Sequence, residues 1–423
     1  MIRRTLILSC LLSGLSLAPA FAEEAIDPET LFETAMQYRK DGQLFKSIEI
    51  FETILSKQPG LNRARLELAI SYHLTRRFED AKKELTRVLN DPETPESVKL
   101  SITAYLAQLA GDIKIAAQRN TSSFYLSLGG FYDSNINLGP GNEIIEIKDL
   151  PPSVAESSGN GGQFMFSWSQ RSRASQAMHI GQRIVDFEWL TQATAYSKAH
   201  AAGDSDFNLS ILTLNTGPAL IAEKAWRAAF NFRLDKLYFG NDEYAEYLAI
   251  NPLFTYSIQP DMEITFENIT TARSYDQPQD QGLRGTMTSW IMDFAKFFSA
   301  QSIGIQGGIK YHDNGARDGY QHYKGAEIYL GGQIPLWTDA RGYLTLSNRD
   351  YRYSAPDSNA GFTEKRDETE RLAVLGVSHD FRKGSLKSWT LNAQFSYTDN
   401  NSNLDEFTYT RSVFELNMRR YFF

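Results

Sequence analysis

Apolar residues recur at helical spacing up to about residue 118, and at every second position from about residue 122 to the last residue, Phe423. A period near 3.6 is one face of a helix; a period of two is a strand with one apolar and one polar face. The clearest alternation is near the C-terminus. Trp389, Leu391, Ala393, Phe395 and Tyr397 are apolar, while Thr390, Asn392, Gln394, Ser396 and Thr398 between them are polar and uncharged. A polar turn from Asp399 to Asp405 follows, then a last strand with Phe414, Leu416 and Met418 in its apolar row and Arg419-Arg420 interrupting it. That strand runs to the end of the chain on Tyr421 and Phe423. An outer-membrane barrel needs its final strand complete, because it must pair with the first and leave no open edge in lipid. Tyr421 and Phe423 are therefore read as the closure and assembly signal.

Other segments alternate in the same way. Phe164, Phe166 and Trp168 form one apolar row. Trp226, Ala228, Phe230, Phe232 and Leu234 form another, against Arg227, Asn231, Arg233 and Asp235. Ile303, Ile305, Ile309 and Tyr311 face away from Ser302, Gln306, Lys310 and His312. Charged rows beside uncharged rows are what a lumen and a lipid face require, and roughly fourteen such strands can be counted. The links alternate too. Ala222–Ala225, Gln259–Asp261, Ala300-Gln301 and Arg382–Ser385 are tight, whereas Leu138–Gly162, Thr191–Ser205, Asp313–Gln321 and Ser354–Arg366 are longer and polar. Short periplasmic turns and longer outer loops give that rhythm, with the chain's two barrel ends on the periplasmic side. Pro252 falls inside the sixth strand, where a local bulge is expected. A barrel of this size leaves room for an extended chain or a small solute. Leu138–Gly162 is then the longest candidate for a plug, or else a mobile outer loop.

The helical part carries a repeat. An offset of 34 residues links Ala35 with Ala69, Tyr38 with Tyr72, Leu44 with Phe78, Ser47 with Ala81, Phe51 with Leu85, Ile54 with Val88, and Leu55 with Leu89. Small residues where two helices cross, with aromatics one turn on, make the tetratricopeptide pattern, and Pro59 and Pro92 close its two copies. Two repeats need capping, so Pro95–Ala117 is expected to supply further helices. Such repeats present a binding face. Phe32, Met36, Arg39, Leu66, Ile70 and His73 are the candidate client-binding residues, the apolar ones also being candidates for packing on neighbouring helices.

Residues 1–22 read as a secretory signal: Arg3-Arg4, an apolar stretch from Leu6 to Leu17, and Ala20-Phe21-Ala22 before Glu23. The organisation is then a signal peptide (1–22), a periplasmic helical domain (23–118), a linker (119–122) and a barrel (123–423). The fold class is α plus transmembrane β, with tetratricopeptide-type helical hairpins preceding an antiparallel outer-membrane β-barrel of about 14 strands. The single cysteine, Cys10, lies in that signal, so no disulfide is expected to support the mature chain. The net charge of −8 argues against a nucleic-acid partner. An aromatic share of 13% suits a barrel with aromatic girdles.

No catalytic constellation emerges. The six histidines have neither HExxH spacing nor cysteine partners, and there is no phosphate-binding loop or nucleophile elbow. No metal, cofactor or enzymatic activity is expected. The most distinctive short motif runs from Gly129 to Asn137, where Asp133, Asn135 and Asn137 alternate at the lip of the barrel. They would either line a binding face or cap the strand end through Asx-type hydrogen bonds.

With a signal peptide, a short tetratricopeptide head, the first-strand sequence Asp133-Ser134-Asn135-Ile136-Asn137 and a terminal Phe423, the chain resembles the surface lipoprotein assembly modifier (Slam) family. The resemblance implies an outer-membrane translocator and not an enzyme, moving a dedicated surface lipoprotein or secreted haem- or metal-acquisition protein outward. Its expected partners are that client or its periplasmic chaperone, outer-membrane lipids and the barrel-assembly machinery. A polysaccharide-export or solute porin with a periplasmic protein-interaction domain is the alternative.

Overall fold

The computed structural model describes residues 27–136, 157–174, 177–201 and 204–423. The signal reading of residues 1–22, Asn137 and most of the proposed plug lie outside the described residues. The chain divides into two compact units at Gly111.

The N-terminal unit is built of helix pairs. Helices α1 (Pro28–Lys40) and α2 (Leu44–Lys57) form one hairpin, and α3 (Asn62–Leu74) and α4 (Phe78–Leu89) form the next. Each pair starts 34 residues after its counterpart, as the sequence offset requires. Ala35 and Ala69 are fully buried at the two crossings, and Phe51, Ile54, Leu85 and Val88 fill the space beside them. The inter-helix turns also repeat. Gly42 and Arg76, 34 apart, both adopt positive φ, and each turn closes with an amide-to-carbonyl bond of 2.8 Å, Gln43 to Tyr38 and Arg77 to Tyr72. In place of several capping helices there is one, α5 (Glu96–Ala117). No described helix is long and apolar enough to cross a membrane.

The second unit is a closed antiparallel barrel. Its fourteen staves are β1 (Asn120–Asp133), β2 (Gly159–Arg173), β3 (Arg183–His200), β4 (Leu209–Ala222), β5 (Trp226–Phe239), β6 (Asp242–Gln259) and β7 (Met262–Tyr275), then β8 (Gly285–Phe298), β9 (Ile303–Ala316), β10 (Tyr323–Trp337), β11 (Ala340–Tyr353), β12 (Asp367–Asp380), β13 (Trp389–Ser402) and β14 (Tyr409–Phe422). Every stave pairs with its sequence neighbours, and β14 closes on β1 in the register Phe422↔Phe124 to Val413↔Asp133. The closure leaves no backbone edge to face lipid, which is what a membrane-spanning sheet must achieve.

Alternation decides which residues meet the membrane. Phe164, Phe166, Phe230, Phe232, Leu234, Ile305, Ile309, Tyr311, Phe395 and Tyr397 are exposed on the outer wall, in the rows read from the sequence. Arg420 interrupts nothing. It belongs to the outer row at the short-turn end, where its guanidinium lies over the rings of Phe422 (4.7 Å) and Trp389 (5.7 Å), a cation among interfacial aromatics. Arg419, one residue earlier, faces the other way, opposite Ser127 and Thr390.

Several expectations are corrected. The predicted link Thr191–Ser205 is mostly strand, since β3 continues to His200. Its outer row there is Thr191, Ala193, Ala195 and Ser197, too small and polar to show an apolar period. Met178–Ile180 is only a three-residue ribbon on β3. Gly159–Gly162 belong to β2, not to a loop. Strand β13 continues through the predicted turn to Ser402. On the long-loop side β5 and β6 are joined by two residues, Gly240 and Asn241, both at positive φ, the geometry of a tight hairpin. On the other side, 381–388 is longer than its tight neighbours.

No bulge forms at Pro252. The β6–β7 register is unchanged from Ile250↔Thr270 to Leu253↔Glu267. Asn251 Nδ2 donates to the Asn268 carbonyl (3.0 Å), which lies opposite the proline and lacks its N–H. The side chain next door replaces the missing ladder bond.

Closure predicts a cross-link. With cysteines at Leu128 and Met418, which lie opposite one another on β1 and β14, oxidation should join the first and last staves. The check is a fragment link that survives proteolytic cleavage between residues 137 and 156.

Candidate functional site

The lumen is built by the inner rows, and its two ends differ. Toward the long-loop end inward side chains are buried: Tyr196, Leu209, Ile211, Leu237, Tyr247 and Tyr275 pack together, and Tyr323, Tyr351 and Tyr353 form a second cluster. Below them is a chamber of about 930 Å³, reaching down to Pro260 and Asp261 in a short turn and up to Tyr351, Tyr409 and Arg411. Among the described residues, the barrel is roomier at the short-turn end and filled at the other.

The motif around Asp133 sits in that filling. Asp133 ends β1 facing inward and is 0% exposed. Arg411 of β14 grips it with two donors, Nε to Oδ1 at 2.9 Å and Nη2 to Oδ2 at 2.5 Å. Lys198 of β3 approaches Oδ2 at 3.4 Å, and its Nζ lies 4.2 Å from the Phe131 ring centre. Lys198 reaches across β2 because β2 offers no side chain there: Gly159 and Gly161 stand opposite Asp133 and Phe131. A Cβ on Gly161 would collide with the Ala199 carbonyl. The same device recurs lower down. Gly129 makes room for Asn417, which accepts from Gln163 Nε2 at 2.9 Å and so joins β14 to β2 over the top of β1. Tyr421, read as a closure residue, faces inward beside Tyr125, with ring centres 4.8 Å apart. Phe422 continues the outer row, and Phe423 projects beyond the strand.

Asn135 is buried, and its backbone N–H donates to Asp133 Oδ1 at 3.1 Å. This is the Asx-type cap, one of the two uses open to the motif. Asn137 lies outside the described residues.

A second polar device crosses four staves. Lys310, Glu327, Arg349 and Glu370 stand directly opposite their neighbours on β9, β10, β11 and β12. Lys310 Nζ lies 3.4 Å from Glu327 Oε2, and Arg349 Nε lies 3.2 Å from the same oxygen. Arg349 Nη1 donates to Glu370 Oε1 at 3.0 Å, and the Tyr409 hydroxyl donates to the other Glu370 oxygen at 3.0 Å. All five line the chamber. Alternating charges held at hydrogen-bond distance across adjacent strands stiffen the wall and leave a polar track.

In the helical unit the six candidate residues separate. Phe32 is 3% exposed and packs edge-on against Phe51 at 5.5 Å, so its surface is spent within the hairpin. Met36, Leu66 and Ile70 are half-buried. Arg39 forms an ion pair with Glu67 at 2.6 Å, and His73 Nδ1 shares a 2.6 Å hydrogen bond with the Tyr105 hydroxyl of α5. Burial, with Glu52 accepting from its hydroxyl at 2.5 Å, pushes the Tyr72 phenol above its usual range. The Asn62 amide holds the Asp91 carboxyl below the usual carboxylate range and ties the start of α3 to the chain after α4.

No family model matches the chain. A curated relative, the surface lipoprotein assembly modifier of Pasteurella multocida (strain Pm70), is 22% identical over 358 residues, covering 82% of this chain and 67% of its own. That share exceeds the barrel's part of the chain, so the relation reaches into the helical segment. This chain is a distant Slam homologue. It is an outer-membrane β-barrel protein of the Gram-negative type. Among solved structures, OprD from Pseudomonas aeruginosa aligns at 10% identity and a TM-score of 0.35, over 71% of this chain and 94% of its own. The anion-selective porin from Comamonas acidovorans aligns at 9% and 0.36, over 72% and 99%.

Only part of what organises this lumen is legible in the sequence. Alternation places Lys310 on an inner row but gives no reason to single out Arg411, Lys198, Glu327, Arg349 or Glu370. Each is a charge at a period-two position, and what makes it part of a device is the register between strands.

Replacing Asp133 with alanine should remove the anion that two buried cations share, at a cost of roughly 3–5 kcal/mol. The expected sign is a lower temperature of barrel unfolding in semi-native electrophoresis. Replacing Arg349 with alanine should break the ladder at its centre and raise single-channel conductance in planar bilayers.

Proposed function

We propose that this chain is an outer-membrane translocator that helps a dedicated client protein reach the cell surface. The observation that carries the reading is the relation to a surface lipoprotein assembly modifier across both the barrel and part of the helical segment. A surface lipoprotein is the client class that the relative's name suggests; a secreted haem- or metal-acquisition protein is the other expected class. The chain enters β1 at the short-turn end, the periplasmic side in barrels of this kind, so the helical domain is assigned to the periplasm. There it would hold the client or its chaperone. Met36, Arg39, Leu66, Ile70 and His73 remain the proposed contact residues, with Phe32 supporting them from within.

The chamber supports a conduit in a resting state. It is wide toward the periplasmic end, and passage requires the inner side chains toward the other end to part. Folding of the client outside supplies the drive in this scheme. A solute or polysaccharide porin remains the second reading, favoured by the polar track of Lys310, Glu327, Arg349 and Glu370.

Removing residues 26–118 should abolish surface display of the client while the barrel still assembles. Display is read by protease accessibility on whole cells and assembly by heat-modifiable mobility. Undiminished display would count against the reading.

A further inference from the structure

The repeat does not stop after two copies. Helix α5 begins at Glu96, 34 residues after α3 begins at Asn62, just as α3 follows α1. Its packing also follows α3. In α3 and at its C-terminal cap, Ala64, Leu68, Ser71 and Thr75 are buried. In α5 the positions 34 further on are Val98, Ile102, Tyr105 and Leu109; Ile102 and Leu109 are buried, and Tyr105 bonds to His73 of α3. Helix α5 is thus the first helix of a third repeat, seated on the second.

What the third repeat lacks is its second helix. In the first two repeats that partner covers Ala35 and Ala69 completely. The equivalent residue in α5, Thr103, is exposed, and Leu100, the equivalent of Phe32 and Leu66, is 74% exposed. Ala107 and Ala110 continue the same face and are exposed as well. From Leu100 to Gly111 the helix carries no charged residue. A helix that ended the stack against water would need a polar outer face.

We propose that this face of α5 is a docking surface for an amphipathic helix supplied by a partner protein, which completes the third repeat. The occupant's chemistry follows from the two second helices already present, because the face continues their interface by the same 34-residue step. Helix α2 presents Ser47, Phe51 and Ile54, and α4 presents Ala81, Leu85 and Val88, all buried. The incoming helix should carry a small residue followed by large apolar residues four and seven positions later. Assigning that helix to the exported client rests on the translocator reading; the existence of the docking face does not.

The test uses the full chain in detergent micelles and a helix-stapled, fluorescent peptide with the sequence of Arg77–Asp91. Saturable binding is expected, weakened about tenfold or more by Leu100→Glu and unchanged by Leu74→Glu, which alters an exposed leucine outside this face. Unchanged helical circular dichroism in Leu100→Glu shows that folding is intact. No saturable binding, or equal binding to Leu100→Glu, overturns the proposal. So does self-association of the chain that Leu100→Glu removes and the peptide fails to compete, since the occupant is then a second copy. Peptide binding retained by a chain that displays no client would overturn the translocator reading alone.

Discussion

Every backbone amide at membrane depth must find its partner within the sheet, and pairing β14 with β1 is the step that makes this possible. Lipid offers nothing to an unpaired N–H or C=O, each of which costs several kcal/mol when buried without a partner. The ladder from Phe124↔Phe422 to Asp133↔Val413 removes the last open edge. Much else in the lumen serves that seam. Arg411 reaches from the last strand to Asp133 on the first, and Asn417 reaches over the first to Gln163 on the second. The glycines at 129, 159 and 161 are sites of close approach. Pro252 shows the same demand met locally, with an asparagine amide occupying the carbonyl that the proline leaves free.

Once the wall is closed, its interior is built in two layers. Buried tyrosines and aliphatic residues fill one end, and a charged ladder runs along the chamber beneath. Dense apolar packing makes the first layer rigid, whereas the cross-strand ion pairs of the second present charge to the space they line.

The helical unit follows a separate logic. Its stability comes from repeated nearest-neighbour interfaces, each copy burying what the previous one presents. That economy leaves the end of the stack as its reactive part. Helix α5 is held on one side by α3 through Ile102, Leu109 and the Tyr105–His73 bond, and is uncharged and open on the other from Leu100 to Gly111. Repeat architecture makes such an end informative, because the missing neighbour can be inferred from those already present.

The sequence by itself determined the change of period near residue 118, the lipid-facing rows, the 34-residue offset and the strand count, because each depends only on local alternation or spacing. It determined less where the outer row was small, as from Thr191 to Ser197, and it misjudged Pro252 because the compensating bond comes from a neighbour's side chain. Tertiary structure alone decided which inward charges meet. Asp133 and Arg411 are separated by most of the chain, and Lys310, Glu327, Arg349 and Glu370 lie on four different strands. Period two tells which face a residue takes, but not its height relative to the next strand; that height is set by register, and register exists only once the strands have paired.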